Sequence, residues 1–600
     1  MEGRRVRRLV IALFVIFLMV AIRIFTNAFD SKRLLQHEEV PAFDGTVYDY
    51  KGHVLAAELL EYVAYFDKGY FTNTIKDERK RKRIEKELVD LGVSPEVYRK
   101  TPFPVVKRSS SLSDLVSSIP PDVYKFISIS KSSRRTLIND ESLKLILNPM
   151  NGVMAFYKSE LSKKEKGYKT LNALTKEVLE FVPPVNGNDL YLTLDAQLQK
   201  DVSTILYEGI KKYNAKGGII IVMETRTGAI KAAVNAYDWN FAAQGYFEPG
   251  SSIKPIIYAI ALEEGLVSTS TVFDCEGSIQ PLEDSTITIH DIEKHGKVNL
   301  FEALARSCNV ASIRISKKIV EQLGEERFYW WLRRFGFGER SGVEILKETR
   351  GNLPPSERWK RITFAFMAIG QGIGVSAFQL IRAFNAVVND GLLVTPHFLD
   401  HILDSSGKVK KPSFPVKRVV SSRTSALLRR MLKMVVDEGT GRKARVKGVA
   451  VAGKTGTAQK ASEKGGYEPG KHYSVFLGFF PYENPAYTVL VMLDEPSPEF
   501  LGGDVAAPIF KKVVEVIVES SKDSKGKMRL IEGVVPDLRG LTVKDVVAIC
   551  DILGLEVNTI GRGKAVYQEP EPGEIFRLPI RINVFFSYEG DGREDIDAGG

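Results

Sequence analysis

Apolar residues form one long uninterrupted run near the amino terminus of the chain. Four arginines within residues 1–8 precede a run from Leu9 to Ile22, and the apolar character resumes after Arg23. If Arg23 extends its charged end toward the lipid headgroups, residues 9–29 are long enough to cross a bilayer as one helix. Because basic residues stay on the cytoplasmic side, the pattern predicts a cytoplasmic tail at 1–8 and an extracytoplasmic remainder. A cleavable signal peptide is the alternative, but no small-x-small cleavage site follows the run.

The pattern after this predicted anchor divides into a charge-rich part and a part dense in regular elements. Residues 30–187 combine charged stretches with short strand-like pieces and one helical stretch, Glu78 to Leu91, which predicts an N-terminal spacer or dimerisation-like domain. In residues 188–521, a hairpin at 218–234 comes early, three strands between 449 and 493 come late, and helical segments lie between them. Strands at both ends with helices between them predict an α+β domain whose antiparallel sheet is completed late in the chain.

The carboxyl-terminal part is predicted to be a separate small unit. Val505 to Glu519 has the period of an amphipathic helix that closes the preceding domain, and the polar residues 522–529 indicate a linker. Residues 530–588 combine a helical pattern at 543–553 with strands, which predicts a small α/β module. The acidic, glycine-containing residues 589–600 have the composition of a disordered tail.

Charge and composition narrow the classes of partner. The 600 residues include 84 basic and 74 acidic side chains, a net charge of +10, and 44% of them are hydrophobic. A modest basic excess suits a folded chain that works beside an anionic membrane or polymer. Nucleic acid is the competing partner, but the sequence has no zinc-finger spacing, no aromatic RNA-binding signature and no single basic stripe. No nucleic-acid partner is therefore predicted.

Cysteine and histidine usage predicts neither a disulfide framework nor a metal site. Cys275, Cys308 and Cys550 are too few for a framework, and each is expected to be a small buried apolar side chain. His290 and His295 are five residues apart with no cysteine nearby, which favours ordinary polar roles. No metal is predicted, and the sequence indicates no other cofactor.

Three short motifs within residues 188–521 carry the candidate chemistry. In chain order they are Ser251-Ser252-Ile253-Lys254, Ser307-Cys308-Asn309 and Lys454-Thr455-Gly456-Thr457. Each of them alone occurs often by chance. Their order, and their restriction to one predicted domain, together indicate a single serine active site.

The first motif pairs a hydroxyl with an amine at the start of a helix. A Pro-Gly pair leads into an apolar helical run, and Pro255 is tolerated only within the first turn of that run. Ser251 is therefore predicted at a helix N-terminus, where free N–H groups favour a developing oxyanion. Lys254 lies three residues later on the same face, and burial can lower the pKa of a lysine until it acts as a base. Ser252 is the rival nucleophile, but its spacing from Lys254 places it on another face.

The second motif offers a hydroxyl and an amide two residues apart. Ser307 can relay a proton, and Asn309 can hold a peptide group of a substrate. Serine and asparagine also cap helices, and helix capping would be the preferred interpretation if this motif stood alone. The presence of the other two motifs favours a place in the active site.

The third motif follows a strand-like run and is rich in hydrogen-bond donors. Gly456 permits close backbone approach, and donors for a carboxylate come from Lys454, Thr455 and Thr457. A phosphate-binding loop is the competitor. However, the spacing from Gly448 to the Gly-Lys-Thr of this motif is one residue short of the pattern that such loops require.

At these motifs the chain closely resembles class B penicillin-binding proteins, the monofunctional transpeptidases of elongation, division and sporulation. Further similar segments are NDLYLTLDAQLQ (188–199), ETRTGAI (from 224), FEPGSSIK (247–254), AIGQGIG (368–374), EGTG (438–441) and AGKTGTAQ (452–459). The likeness extends from residue 9 to about residue 588. The segment from Val534 to Leu538 is similar to the start of one PASTA module, an extracellular fold associated in this family with wall or partner binding.

The resemblance implies a role for each motif residue in D,D-transpeptidation. Ser251 attacks the penultimate D-alanine carbonyl of a stem peptide, and Lys254 accepts the proton of its hydroxyl. Ser307 relays that proton to the leaving D-alanine, and Asn309 orients the donor peptide. The N–H groups of Ser251 and Thr457 form the oxyanion hole. Lys454, Thr455 and Thr457 hold the terminal carboxylate. Lys454 also counts among the catalytic residues, and the substrate-binding residues are Thr455, Gly456 and Thr457.

The resemblance also implies partners and a location. The substrates are peptidoglycan stem peptides, the inhibitors are β-lactams, and the protein partners are a polytopic peptidoglycan glycosyltransferase and other proteins of division or elongation. One span would hold the chain in the cytoplasmic (inner) membrane, with its bulk periplasmic or extracellular. The spacer of these proteins usually opens with an Arg-Gly pair and an Asp-Arg-Asn-Gly turn. Here residues 44–52 (DGTVYDYKG) lack those arginines, which leaves the usual contacts of that turn in question.

Two other functions remain as alternatives. A D,D-carboxypeptidase or a β-lactamase would resolve the acyl-enzyme with water, but the sequence shows no clear Glu-x-x-x-Asn segment to activate that water. A β-lactam sensor or wall-binding protein would acylate without turnover. Sensors of this type usually carry several spans and an intracellular effector, whereas this sequence predicts one span.

Overall fold

The computed structural model describes most of the chain. The described residues are 14–21, 23, 35–109, 111–137, 141–173, 175, 178–284, 286–462, 466–522, 532–544, 546–547, 550, 555–572, 574–577 and 580–587. Of the predicted anchor 9–29, residues 14–21 and 23 are helical, and its other residues lie outside the described ones. So do residues 1–8, residues 589–600 and all of the predicted linker except Lys522. Among the described residues, no helix has the length and apolar character needed to cross a membrane.

The amino-terminal part is built around one long strand, Val54–Phe66, which pairs along both edges. The predicted helix is found at Glu78–Asp90, where the Asp77 carboxylate accepts two backbone N–H groups and Ile84 and Leu88 face an apolar cluster. The strands of this part are Leu35–Val40, Val47–Tyr48, Val54–Phe66, Val105–Ser109, Ile127–Leu137, Gly167–Asn172 and Val178–Val182. Its helices are Lys68–Thr74, Glu78–Asp90, Pro95–Lys100, Leu112–Ser117, Pro121–Tyr124, Glu141–Leu143, Val153–Phe156 and Lys158–Leu161.

The part predicted to be an α+β domain contains a five-stranded antiparallel sheet. Across the sheet the strands are Ile230–Asn235, Gly217–Glu224, Tyr487–Asp494, Tyr467–Phe480 and Ala452–Ala461. The early hairpin therefore pairs with Tyr487–Asp494, the last strand of this domain. This order confirms the predicted sheet that is completed late.

Helices cover both faces of this sheet. Alternate residues of the strand Gly217–Glu224 belong to different apolar clusters, because successive side chains of a strand point to opposite faces. Ile219 joins the cluster around the helix Lys254–Glu263, and Ile220 joins a cluster that includes the closing helix Ala506–Lys522. Burial on both faces explains why this strand is apolar without alternation.

The remaining elements of this domain are short strands and the helices between them. The helices, with three 3₁₀ turns, are Ala196–Lys212, Phe241–Gln244, Gly250–Ile253, Lys254–Glu263, Leu300–Ala305, Asn309–Leu323, Glu325–Arg334, Ser356–Arg358, Thr363–Ala368, Ala377–Val388, Ser422–Asp437, Arg442–Ala444 and Ala506–Lys522. The short strands are Asp189–Leu192, Val272–Cys275, Ser278–Ile279, Ile289–His290, Gly296–Asn299, Leu392–Val394, Leu399–Leu403, Val409–Lys410 and Val416–Arg418.

A second sheet contains strands from both sides of the predicted boundary at 187/188. Val47–Tyr48 of the spacer pairs in parallel with Asp189–Leu192, which pairs in turn with Leu399–Leu403. One aromatic ring from each strand stacks on the next, with centroids 4.7 Å and 4.4 Å apart. These rings are those of Tyr48, Tyr191 and His401. The spacer and the α+β domain are therefore joined by hydrogen-bonded strands as well as by the chain.

Arg135 supplies a guanidinium to the spacer turn in which the resemblance predicts arginines. Its Nη2 donates to the carbonyl of Gly45 at 2.6 Å and lies 3.7 Å from the carboxylate of Asp44. The buried Asp49 carboxylate of the same turn accepts three backbone N–H groups, one of them from Ala196 in the α+β domain. A guanidinium from a strand that is distant in the sequence thus contacts this turn.

The carboxyl-terminal module lies against the spacer. Its strands are Glu532–Val534, Glu556–Gly561, Lys564–Glu569, Ile575–Arg577 and Arg581–Ser587. Of the helical stretch predicted at 543–553, residues 543, 544, 546, 547 and 550 are helical, and the others lie outside the described residues. Polar contacts with the spacer join Lys131 to Glu571 at 3.0 Å, Asn186 to Asp537 at 3.0 Å, and Arg539 to the Pro41 carbonyl at 3.4 Å.

Deleting residues 528–600 is expected to leave acylation of the protein by a fluorescent penicillin within about tenfold of the full-length rate, or ~1.4 kcal/mol at the transition state. The reason is that these contacts of the module lie on the spacer, away from the three motifs. Second-order acylation rates of the truncated and full-length proteins, measured side by side, test this. Lys131→Glu is the matched control because it disturbs the module contact without removing the module. A larger loss on truncation would mean that the module supports the chemistry.

Candidate active site

The serine motif forms a tight turn before the α-helix begins. Residues Gly250–Ile253 are a 3₁₀ helix, and the α-helix Lys254–Glu263 starts at the lysine. Pro255 explains this, because it has no N–H to donate to the carbonyl of Ser251, and the N–H of Lys254 donates there instead. Side chains three residues apart in a 3₁₀ helix lie on one side, so Ser251 and Lys254 face the same way.

The two adjacent serines of this motif are placed differently. Ser252 is fully buried, and its hydroxyl donates to the carbonyl of Pro249 at 2.6 Å. Ser251 is only half-buried. The rival nucleophile is therefore held within the fold, whereas Ser251 can meet a substrate.

The Lys-Thr-Gly motif lies within the strand Ala452–Ala461, at an edge of the five-stranded sheet, and not after a strand as the pattern predicted. Among the described residues, the outer edge of this strand has no strand partner. Two glycines let the strand pass over the serine turn. A Cβ on Gly456 would lie 2.9 Å from the carbonyl oxygen of Pro249. Gly250, at φ +54°, would place a Cβ 2.5 Å from the carbonyl oxygen of Thr457.

The second motif joins two helices. Helix Leu300–Ala305 ends in a left-handed residue, Ser307, whose φ is +59°. The N–H of Ser307 donates to the carbonyl of Leu304, and the N–H of Cys308 donates to that of Ala303, which are the two hydrogen bonds of a Schellman cap. Glycine is usual at this position, because the left-handed region costs other residues about 1–2 kcal/mol. The Ser307 hydroxyl is thus held in place at a cost in stability.

Two buried lysine amines converge on that hydroxyl. The Nζ of Lys454 lies 2.9 Å from Ser307 Oγ, and the Nζ of Lys254 lies 3.3 Å from it. Lys254 also donates to the backbone carbonyl of Ser307 at 2.5 Å and to Oδ1 of Asn309 at 2.7 Å. Both lysines are fully buried. The structure therefore brings the polar groups of all three motifs together.

Burial changes the protonation of both amines. It lowers the pKa of Lys254 to about 7, against the opposing effect of the Asp291 carboxylate. Burial also lowers the pKa of Lys454 well below its usual value, and the charge of Lys254 acts in the same direction. At neutral pH a substantial fraction of Lys254 is unprotonated and can accept a proton.

The threonines of the third motif are fixed by groups for which the sequence predicted no role. The hydroxyls of Thr455 and Thr440 lie 2.7 Å apart, and Oγ1 of Thr457 accepts the N–H of Gly502 at 3.0 Å. Lys454 Nζ donates to the carbonyl of Thr455 at 3.0 Å. Together these groups offer a cation and hydroxyls along the strand edge, which suits a carboxylate.

Cys308, the middle residue of the second motif, is disulfide-bonded to Cys275. The expectation that each cysteine is an unpaired apolar side chain is therefore wrong for this pair, and is confirmed for Cys550, which is free and buried. The bonded cysteines are 33 residues apart. They meet because the strand Val272–Cys275 pairs with Gly296–Asn299, which leads directly into the helix before the motif. The spacing of the cysteines in the sequence does not indicate that these two strands pair.

Asp291 is a further residue of the site that the sequence did not reveal. Its carboxylate accepts the N–H of Asn309 at 2.5 Å and that of Val310 at 3.1 Å. The carbonyl of His290 accepts the side-chain amide of Asn309 at 2.9 Å. A single carboxylate in a loop produces no periodic pattern, so no signal in the sequence could have found it.

The chain matches two protein families over separate ranges. The penicillin binding protein transpeptidase domain matches residues 218–515, which contain all three motifs, and the PASTA domain matches residues 533–579. Stage V sporulation protein D of Bacillus subtilis is 32% identical over 484 residues, which cover 74% of this chain and 73% of that protein. The peptidoglycan D,D-transpeptidase FtsI homolog of Mesostigma viride is 31% identical over 378 residues, which cover 56% of this chain and 62% of that protein.

Solved structures show the same fold. Penicillin binding protein 3 from Mycobacterium tuberculosis, complexed with aztreonam, superposes with a TM-score of 0.62 at 24% identity, over 81% of this chain and 98% of that one. The fold and the domain match define a serine acyl-transfer enzyme. The chain belongs to the class B penicillin-binding proteins and carries one PASTA domain at its carboxyl end.

Replacing Ser307 is expected to separate stability from activity. Ser307→Gly removes the hydroxyl that both lysines contact, so acylation by a penicillin should fall by at least ~10²-fold. The same change relieves the left-handed residue at the cap, so the free energy of unfolding should exceed that of a variant that loses only the hydroxyl by up to about 1 kcal/mol. Labelling rates and thermal unfolding measure the two effects.

The matched control is Ser307→Ala, which removes the hydroxyl but keeps the Cβ. It should lose activity to the same extent and gain no stability. If the glycine variant unfolds at a temperature well below that of the alanine variant, the left-handed conformation of Ser307 does not destabilise the cap.

Proposed function

We propose that the protein is a peptidoglycan D,D-transpeptidase that cross-links stem peptides through an acyl-enzyme on Ser251. The observation that carries the proposal is the convergence of the two buried amines on the Ser307 hydroxyl, beside a half-buried serine that shares a face with Lys254. Such a site offers a nucleophile, a base that is partly unprotonated at neutral pH and a path for the proton. Membership of the penicillin-binding proteins supports the same chemistry.

Acylation begins when Ser251 gives its hydroxyl proton to the unprotonated amine of Lys254. The serine oxygen then bonds to the carbonyl carbon of the penultimate D-alanine, and the N–H groups of Ser251 and Thr457 bind the oxyanion. As the peptide bond breaks, its electron pair goes to the nitrogen of the terminal D-alanine. That nitrogen takes a proton passed from Lys254 through Ser307, and D-alanine leaves.

A second stem peptide resolves the acyl-enzyme. Its amine attacks the ester carbonyl and gives up one proton to Lys254. When the ester C–O bond breaks, the electron pair returns to the oxygen of Ser251, which takes that proton back. The product is a new peptide cross-link. Water in place of the amine would instead give a carboxypeptidase product.

The third motif suits the carboxylate of the donor peptide. The Lys454 amine and the hydroxyls of Thr455 and Thr457 belong to the strand Ala452–Ala461. Among the described residues the outer edge of this strand has no strand partner, so an extended peptide can add to the sheet there. A bound carboxylate would favour the protonated form of Lys454. β-Lactams present a carboxylate beside a reactive amide, so the same groups would direct them to Ser251.

We also propose that residues 9–29 anchor the chain in the cytoplasmic membrane and that the enzyme domain lies outside it. The apolar run and the arginines before it support this. The Cys275–Cys308 disulfide supports it independently, because disulfides persist in oxidising compartments. A polytopic glycosyltransferase and other division or elongation proteins would then share the membrane and meet the spacer or the module.

Ser251→Ala is expected to abolish covalent labelling by a fluorescent penicillin without changing thermal unfolding, because only the nucleophilic oxygen is lost. Ser252→Ala is the matched control: it should still label, and should lose about 1 kcal/mol of stability with its bond to the Pro249 carbonyl. Labelling of the first variant but not the second would move the nucleophile by one residue.

A second assay, with two stem peptides as substrates, separates the three candidate functions. A cross-linked product indicates a transpeptidase, a trimmed peptide indicates a carboxypeptidase, and a stable acyl-enzyme without product indicates a sensor.

Acylation should depend on pH through Lys254. Because the pKa of this amine is lowered to about 7, its unprotonated fraction falls about tenfold for each pH unit below that value. The second-order rate of acylation should therefore show an acid limb with its midpoint near pH 7. Rates measured from about pH 5 to about pH 9 at constant ionic strength test this. A rate that stays flat down to the lowest pH would show that Lys254 is not the base.

A further inference from the structure

Asp291 lies just beyond the strand Ile289–His290 and reaches the amino end of the helix Asn309–Leu323. Its Oδ1 accepts the N–H of Asn309 at 2.5 Å, and its Oδ2 accepts the N–H of Val310 at 3.1 Å. The first N–H groups of a helix have no partner within the helix, and a negative charge near them is favoured by the helix dipole. Asp291 therefore stabilises the start of this helix from a different segment of the chain.

The cap that the helix supplies for itself is weak. Its N-cap residue is Cys308, whose sulfur accepts the N–H of Ala311 at 3.2 Å. A disulfide sulfur is a poor acceptor compared with a carboxylate oxygen. Oδ2 of Asp291 lies 3.2 Å from that same sulfur. The charged group that caps the helix of the second motif is thus the carboxylate of Asp291, which lies 18 residues before Asn309 in the sequence.

The same loop also fixes the side chain of Asn309. Nδ2 of Asn309 donates to the carbonyl of His290 at 2.9 Å, which leaves its Oδ1 to accept from Lys254 Nζ at 2.7 Å. The backbone N–H of Asn309 is held by Asp291 at the same time. The acceptor that meets Lys254 is therefore positioned by residues outside all three motifs.

We infer that Asp291 is a positioning residue for the acylation of Ser251: its carboxylate fixes the start of the helix so that Asn309 and Ser307 present their oxygens to the Lys254 amine. Its negative charge also favours the protonated form of that amine. This inference rests on the proposed roles of Ser251 and Lys254. Asp291 acts through Lys254 and Asn309 and takes no proton in the reaction.

Two ionisable groups interact with Lys254: the Lys454 amine of the edge strand and the Asp291 carboxylate of the loop. The phenol of Tyr258, on the next turn of the same helix, is influenced by the charge of Asp291. Burial raises the pKa of Tyr258, so this side chain stays neutral over the pH range of interest. Asp291 raises the pKa of Lys254, against the effect of burial. Without that charge, the unprotonated amine would persist to lower pH.

The test is the pH profile of acylation by a fluorescent penicillin in the full chain, for two neutral and one charged replacement. Asp291→Asn and Asp291→Ser keep an oxygen that can cap the helix but remove the charge. For both, the acid limb should move to lower pH by at least ~0.5 unit, and the plateau rate should fall about tenfold. Asp291→Glu keeps the charge and shifts the oxygens, so its plateau should fall while its acid limb stays at the wild-type position.

A purely structural role would lower the plateau without moving the limb. Asp77→Asn is the matched control, because Asp77 caps the helix Glu78–Asp90 in the spacer through two backbone N–H groups, as Asp291 does here. It should leave the whole profile unchanged. Neutral variants whose acid limb coincides with that of the wild type would overturn the inference about Asp291 but not the proposed function. A wild-type protein that is not acylated, or a Ser251→Ala variant that still is, would overturn the proposed function as well.

Discussion

The rest of the structure depends on the burial of two lysine amines that both contact the hydroxyl of Ser307. An amine removed from water without polar partners costs several kcal/mol, so Lys254 and Lys454 require acceptors placed within hydrogen-bonding distance. Those acceptors come from separate elements: the joint between two helices provides Ser307 and Asn309, and the edge strand provides Thr455. The sheet and the helices must therefore pack to within tenths of an ångström at one point. The same burial gives the amines their chemistry, because it makes an unprotonated lysine available near neutral pH.

Local steric constraints produce that closeness. Pro255 cannot donate a backbone hydrogen bond, and the tight turn that results places Ser251 and Lys254 on one side. Gly250 and Gly456 leave no Cβ where the edge strand passes over the turn. Each of these residues acts through a group that it lacks: the proline has no backbone N–H, and the glycines have no Cβ. Any side chain added at the glycines would have to displace backbone and would move the strand away from the lysines.

The sequence was sufficient wherever a local pattern determines the outcome. The early hairpin and the late strands follow from short apolar runs bounded by turn residues, and the resemblance that the three motifs indicated is confirmed by the transpeptidase domain match. The sequence was insufficient where a distant residue completes a local arrangement. Asp291 caps a helix that begins well beyond it, and Cys275 bonds to Cys308 through a strand pairing. The roles of the motif residues and the anchor at 9–29 stay predictions.

The sheet that crosses from the spacer into the α+β domain has a mechanical consequence. Val47–Tyr48 and Asp189–Leu192 run side by side in the same direction, and the ring stack from Tyr48 to His401 ties them to a third strand. A pull along these strands loads their hydrogen bonds in shear, so that the bonds resist together and do not open one at a time. A load on the spacer strand would therefore be passed to the strand Leu399–Leu403, whose Leu399 and Ile402 belong to the apolar core around the serine helix.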